Sequence, residues 1–313
     1  MKNISQIPRL MDLHFHSTLS DGCKTSEEII FLAKERGIGL IVNTDHDIVN
    51  IETTRLAKEA GIMSFEGVEI SAYEPTTDKH LHITCYAEHF SDRLHSIMTA
   101  TRTGRKVKVQ NQIQSLYDNG FRADFSGFLQ YFADQGIADM NLANGHIAHY
   151  IYSFPENITL VQRLTGKSLS WIEFLCEFLK REGEFAYAGA PIVTNYEPTI
   201  ELCVELAREN NALLSIAHPN FTFVKGRENL KSIIKTYVDA GVRGIEINAT
   251  ASKEWVKTIL EVREKYNLIL ISGSDCHFDN STDGKHGEFG SRNPYLSDVQ
   301  FQGIVEKFIE TVS

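Results

Sequence analysis

The sequence predicts an α/β protein of repeated strand–helix units, broken in the middle by a helical segment. Three observations lead there. Short apolar, β-branched runs such as Gly39–Thr44 (GLIVNT), Ala212–Ala217 (ALLSIA) and Leu268–Ser272 (LILIS) read as strands buried on both faces. Amphipathic helical stretches stand between such runs, which is the rhythm of parallel strands joined by crossover helices, in an open sheet or a closed barrel. From Thr101 to Ala190 that rhythm stops, and no stretch reads as a buried strand. The length, 313 residues, suits about two domains of roughly 150 residues, or one barrel of about 250 residues with an insertion.

The elements follow in order. Arg9–Phe15 reads as a first strand. Thr25-Ser-Glu-Glu28 has the form of a capping box, so a helix opens there and stops near Gly37. Gly39–Thr44 is the second strand, and Ile51–Ala60 a helix capped by Gly61. Ile62–Tyr73 and Leu81–Tyr86 supply two more strands. In the middle segment Arg102–Asp118, Phe125–Phe132 and Trp171–Arg181 read as helices separated by Gly and Asn turns. The strand–helix rhythm then resumes: Ile200–Asn210 helix, Ala212–Ala217 strand, Leu230–Ala240 helix, Val242–Ile247 strand, Trp255–Tyr266 helix, Leu268–Ser272 strand, Val299–Thr311 helix. The expected division is residues 1–100 with 191–313 as one domain and 101–190 as a helical insertion.

Composition is that of an ordinary globular chain, with 42% hydrophobic and 23% charged residues. Asp and Glu number 41 against 31 Lys and Arg, a formal charge of −10. That balance argues against a tight grip on long double-stranded nucleic acid but not against a small anionic substrate held by cations. No apolar run approaches about 20 residues, so no membrane span is expected. The N-terminal MKNISQIPRL lacks a signal-peptide core, and the expected location is cytoplasmic. The 5 cysteines are scattered without a C-x-x-C pair, which speaks against a disulfide framework or a thiolate zinc site.

Chemistry concentrates at the strand ends. His14 and His16 form H-x-H at the end of the first strand, so both imidazoles can face one ion. Asp21 follows in a turn ended by Gly22. The second strand ends in Thr44-Asp45-His46-Asp47, where Asp47 is also a plausible N-cap. Glu69 stands inside the apolar Gly67-Val-Glu-Ile70, and a buried carboxylate needs a partner. His80 and His82 repeat H-x-H, His218 follows ALLSIA, Glu246 lies in GIEIN, and LILIS ends in Gly273-Ser-Asp-Cys-His277. Active sites in βα architectures lie at the carboxyl ends of strands, and chance core histidines would not select that end each time. Imidazole and carboxylate without thiolate suit zinc, manganese or iron. About nine ligands exceed the need of one ion, so two or three divalent ions are expected. Such a cluster can supply a hydroxide nucleophile at phosphorus.

In this ordered set the chain resembles the PHP (polymerase and histidinol phosphatase) family. The resemblance covers Arg9–Tyr86 and Leu213–Arg292. It implies a distorted seven-stranded, TIM-like (β/α)7 barrel and a metal centre that hydrolyses phosphate esters. The implied ligands are His14, His16, Asp21, His46, Glu69, His82, His218, Asp275 and His277, with Asp45 orienting a ligand histidine. Size and layout are similar to the standalone branch that acts on nucleoside 3′,5′-bisphosphates or trims short RNA from the 5′ end. That branch carries a Gly-Arg-Pro-His segment in its insertion. Here the segment is Ala143-Asn-Gly-His146: His146 matches as a candidate catalytic proton donor, while Asn144 replaces a bidentate phosphate donor.

Arg102, Arg105 and Lys106 lie at i, i+3 and i+4 and form one basic helix face, a candidate substrate-binding group with Asn144. His286, His89, His95 and His149 read as ordinary surface histidines. A histidinol-phosphatase-like enzyme is the alternative. An amidohydrolase fits less well, because no Lys ends a strand in the required place. A non-catalytic PHP module would have lost ligands that this chain keeps. The expected partner is a small phosphorylated substrate, with no membrane and no obligate protein partner.

Overall fold

Thr25 accepts from the Glu28 amide while the Glu28 side chain returns to Thr25, so the expected capping box opens the first helix. A computed structural model of the protein describes residues 8–181, 183–190, 196–277 and 286–313. Its first elements are β1 (Met11–Asp12), α1 (Ser26–Glu35), β2 (Leu40–Ile41), α2 (Ile51–Glu59), β3 (Met63–Ser64), β4 (Glu66–Glu74) and β5 (Lys79–Ala87). There follow α3 (Asp92–Asp118), α4 (Phe125–Ala133), α5 (Asn144–Tyr152), α6 (Pro155–Thr165), α7 (Trp171–Phe178) and α8 (Ile200–Glu209). The chain ends with β6 (Leu213–Ile216), α9 (Pro219–Thr222), α10 (Leu230–Ala240), β7 (Gly244–Asn248), α11 (Lys253–Tyr266), β8 (Ile269–Gly273) and α12 (Asp298–Val312). The chain divides into two compact units, Met1–Thr99 with Glu197–Ser313, and Ala100–Tyr196.

In the first unit the strands form two sheets, β1-β2-β3, all parallel, and β4-β5-β6-β7-β8. In the second sheet β4/β5 and β5/β6 are antiparallel, and β6/β7 and β7/β8 parallel. This corrects the expectation of uniformly parallel strands. The link between β4 and β5 holds only Pro75, Thr76, Thr77 and Asp78, and a parallel connection needs a dozen residues or more. Single bridges, His46 to Glu69 and Phe15 to Cys276, join the ends of the two sheets. The strand order does not establish the (β/α)7 barrel implied by the resemblance. The core between strands and helices is mainly aliphatic, with Leu13, Val42, Val68, Ile70, Ile83, Ile216, Ile245 and Ile271 buried.

In the second unit the described elements are helical, and their core is rich in rings: Phe121, Phe128, Phe132, Phe174 and Phe178 are all buried. The helix expected from Arg102 begins earlier, at Asp92. Two helices were not anticipated, α5 and α6; α6 has Pro155 in its first turn and stops at Gly166, whose φ is +69°. Among the described residues no helix is long and apolar enough to cross a membrane.

Candidate metal centre

Strand direction explains how residues far apart in sequence converge. His14, His16, His46, His218, Asp275 and His277 leave the C-terminal ends of β1, β2, β6 and β8. β5 runs the other way, so its beginning lies beside the end of β4, and His82 pairs with Ser71 in that register. His82 therefore reaches the centre from the start of its strand, a case the rule of strand ends did not foresee. Glu69 comes from within β4, at its bridge to His46. The backbone is shaped for this convergence. Asp275 and His218 have φ of 56° and 28°, in the left-handed region that side-chain-bearing residues seldom adopt. Gly273 is required because a Cβ there would come within 2.2 Å of the His14 Cβ.

Glu69 is the hub. Its Oε2 lies 3.1 Å from His46 Nδ1, 3.2 Å from His16 Nε2 and 3.4 Å from His14 Nε2. Its Oε1 lies 2.9 Å from His218 Nε2 and 3.2 Å from His82 Nδ1. Asp275 Oδ1 faces His16 Nε2 at 3.4 Å and His14 Nε2 at 3.5 Å. Asp21 stands between His277 Nε2, at 3.4 Å, and His46 Nε2, at 3.5 Å. All nine residues of the expected ligand set thus meet in overlapping groups whose donor atoms lie within 4.8 Å of one another.

Four of these atoms, His14 Nε2, His16 Nε2, His46 Nδ1 and Glu69 Oε2, are buried and make no hydrogen bond. An unsatisfied buried polar atom costs about 1–3 kcal/mol, so a cluster of four calls for a partner of another kind. Divalent cations fit: the donors are imidazole nitrogens and carboxylate oxygens converging on one place.

The electrostatics point the same way. Burial opposes ionisation of Glu69, yet His14, His82 and His46 hold its carboxyl well below the usual range. Asp21 is likewise depressed against burial by His277 and His46, and Asp275 by His14, His16, His218 and His277. The carboxylates are therefore ionised acceptors. Burial lowers the His277 imidazole, but Asp21 and Asp275 outweigh it and push it up to about 10. His14 is raised well above its ordinary value, since Glu246, Glu69 and Asp275 overcome its burial.

A layer of polar groups supports these side chains. The Ser20 hydroxyl donates to Asp45 at 2.6 Å and lies 3.3 Å from His16 Nδ1. Asp45 also accepts from the Ser17 amide and hydroxyl and from Asn50. Asp45 therefore reaches the ligand histidine His16 through Ser20. Asp47 is not a helix N-cap: it accepts from the Ser71 amide at 2.7 Å, and Asn50 caps α2. Asp12, which sequence reasoning passed over, accepts from the Ser274 amide and hydroxyl and the Gly290 amide, and burial raises its carboxyl to about 6.

Two further histidines lie outside the expected ligand set. His80 does not join His82 at the centre; it lies near the hairpin turn and pairs with Glu197. His286, read as surface, has Nε2 4.0 Å from Asp275 Oδ2 and its ring 4.4 Å from that of His277. Only its fold neighbours reveal it, since its Gly-rich surroundings carry no strand signal.

The remaining candidates lie in the second unit. Arg105 is buried, which a solvated basic face would not explain. Lys106 pairs with Asp139, and Asn144 Nδ2 lies 3.5 Å from the Leu179 carbonyl. His146 Nδ1 accepts from the Ala143 amide, and its ring packs edge-on against Phe132.

No family model matches the chain. It is 25% identical over 270 residues to a phosphoribosyl 1,2-cyclic phosphate 1,2-diphosphodiesterase of Eggerthella lenta, covering 85% of this chain and 93% of that one. A 5′-3′ exoribonuclease of Haemophilus influenzae is 24% identical, with 85% and 89% covered. A 3′,5′-nucleoside bisphosphate phosphatase of Chromobacterium violaceum is 25% identical, with 85% and 87% covered. In fold, the chain is similar to the structure of an amidohydrolase from Chromobacterium violaceum, at a TM-score of 0.71 and 22% identity over 95% of this chain and 96% of that one. All three relatives are named for hydrolysis of phosphate-ester bonds. The resemblance to PHP phosphoesterases of the nucleotide-directed branch holds.

Proposed function

We propose that the protein is a metal-dependent phosphoesterase that removes phosphate from small nucleotides such as nucleoside 3′,5′-bisphosphates, or from short oligonucleotides. The observation that carries this reading is Glu69, with five imidazoles around its two oxygens and a buried oxygen left without a hydrogen bond. His14, His16, Asp21, His46, Glu69, His82, His218, Asp275 and His277 would hold two or three divalent ions, of manganese, zinc or iron. Such ions, when bound, polarise a phosphoryl oxygen and lower the pKa of water. The chain's own part is to keep the carboxylates ionised, to fix each ring's orientation, and to keep the inner donors away from bulk water.

The named activities of the three relatives support a nucleotide or sugar-phosphate substrate and disfavour the histidinol phosphatase alternative. Assignment of Arg102, Arg105, Lys106, Asn144 and His146 to the substrate belongs to this proposal and rests on the resemblance and on their charge. The bridges from His46 to Glu69 and from Phe15 to Cys276 support closure of the strands into one ring of seven, with β3 and β4 as one strand.

The test is a panel of phosphate esters assayed for released phosphate in the presence of Mn2+: a bisphosphate nucleoside, mononucleotides, a short RNA, a cyclic sugar phosphate and histidinol phosphate. Chelator-sensitive release from the nucleotides is expected. Turnover of histidinol phosphate alone, or release indifferent to chelator, would overturn the reading.

A further inference from the structure

Glu246 is a carboxylate in the middle of β7, between Ile245 and Ile247, and it is wholly buried. A buried carboxylate in an apolar strand is costly unless donors meet it. Both donors that meet it belong to expected metal ligands. Its Oε2 lies 2.9 Å from His14 Nδ1 and accepts the His218 backbone N–H at 2.8 Å. These two contacts come from residues far apart in the sequence, one through a ring and one through a main chain.

Each contact has a consequence at the centre. An oxygen that accepts the His218 amide is an acceptor toward His14 as well, so His14 must carry its hydrogen on Nδ1. In the neutral ring that binds a cation the lone pair is then on Nε2, the atom that faces Glu69 and Asp275 and makes no hydrogen bond. The second contact holds the main chain where φ is 28°, a conformation that persists only where surrounding groups enforce it. That conformation aims His218 Nε2 at Glu69 Oε1, 2.9 Å away.

We propose that Glu246 is the positioning residue of the metal centre: one carboxylate oxygen sets the tautomer of His14 and pins the backbone of His218, so two ligands share a single support. Its Oε2 is committed to these two donors, while its Oε1 is buried and makes no hydrogen bond, so the positioning role is carried by Oε2 alone. The inference rests on the reading of His14 and His218 as metal ligands.

The experiment titrates Mn2+ into chelator-stripped wild type, Glu246→Ala and Glu246→Gln, with melting of each metal-free protein and detection of the His14 Nδ1–H by nitrogen-15 NMR. Loss of such a supporting group weakens metal binding by roughly 10–100-fold. Glu246→Ala is expected to lose that much and to lose the fixed His14 tautomer. Glu246→Gln, whose amide oxygen can accept both donors, is expected to keep the Nδ1–H form and to recover most of the affinity. If Glu246→Ala fails to fold, Glu246→Gln and the wild-type tautomer still decide. Hydrogen on His14 Nε2 with none on Nδ1 in the wild type, or Mn2+ affinity unchanged in Glu246→Ala, overturns the inference. A wild-type protein that binds no divalent ion overturns instead the reading on which it rests.

Discussion

His16 Nε2 stands 3.2 Å from Glu69 Oε2, and neither atom makes a hydrogen bond. Two buried polar atoms held this close without hydrogen-bond geometry are arranged for something between or beside them, and a cation satisfies both at once. Glu69→Gln removes the charge and keeps the volume. It is expected to lower bound manganese or zinc, measured by elemental analysis, and to cut turnover by more than the roughly 10–100-fold typical of groups that merely support a ligand. Metal content and turnover equal to wild type would contradict the hub role of Glu69.

The Ser20 hydroxyl is committed as a donor to Asp45, which leaves its lone pairs for His16 Nδ1. Ser20→Ala should therefore free the His16 ring while leaving the Asp45 contacts to Ser17 and Asn50 in place. The expected result is a metal affinity about tenfold weaker, read by titration, with a metal-free melting temperature within a few degrees of wild type. An unchanged affinity would mean that packing alone orients His16.

The pKa shifts predict opposite pH trends for metal-free and metal-loaded protein. His277 is raised to about 10 from 6.5, and His14 is raised as well. A histidine with a raised folded pKa adds stability that is complete below its unfolded value and disappears as pH climbs through the folded one. The metal-free protein should thus melt at progressively lower temperature from about pH 7 to pH 10. Ions compete with those same protons, so the rise in melting temperature caused by Mn2+ should grow over that interval. Calorimetry with and without chelator tests both; a metal-induced shift that shrinks with pH would exclude the ring nitrogens as ligands.

Much of this centre was legible in the sequence, for a physical reason. His, Asp and Glu directly after apolar strands cannot be buried singly, and H-x-H at a strand end aims two rings one way. What was not legible depended on partners distant in sequence. His80 and His82 look like a second His14–His16 pair, but β5 is antiparallel to β4: His82 pairs with Ser71, two positions from Glu69, while His80 pairs with Tyr73, farther toward the hairpin turn. Asp45 reaches His16 through a serine, and Glu246 reaches His14 across 232 positions. No local pattern encodes either. The helix α6 could have been anticipated from Pro155 and Gly166, whereas α5 begins without a capping side chain from Ala143.

The last prediction concerns substrate choice. The metal ligands can account for one phosphate; a bisphosphate needs a second cationic donor. In the second unit Lys106 is already paired with Asp139, and Asn144 offers only a neutral amide. We propose Arg105 for this role, since a guanidinium can take two phosphate oxygens at once. Arg105→Ala is therefore expected to raise KM for a nucleoside 3′,5′-bisphosphate about tenfold relative to the matching monophosphate, as loss of one charge-assisted bond of about 1.5 kcal/mol would do. Its kcat on the monophosphate should stay near wild type, and a melting curve separates this loss from unfolding of the helical unit. Equal KM changes on both substrates would show that Arg105 supports the fold, and the second phosphate would then need another anchor.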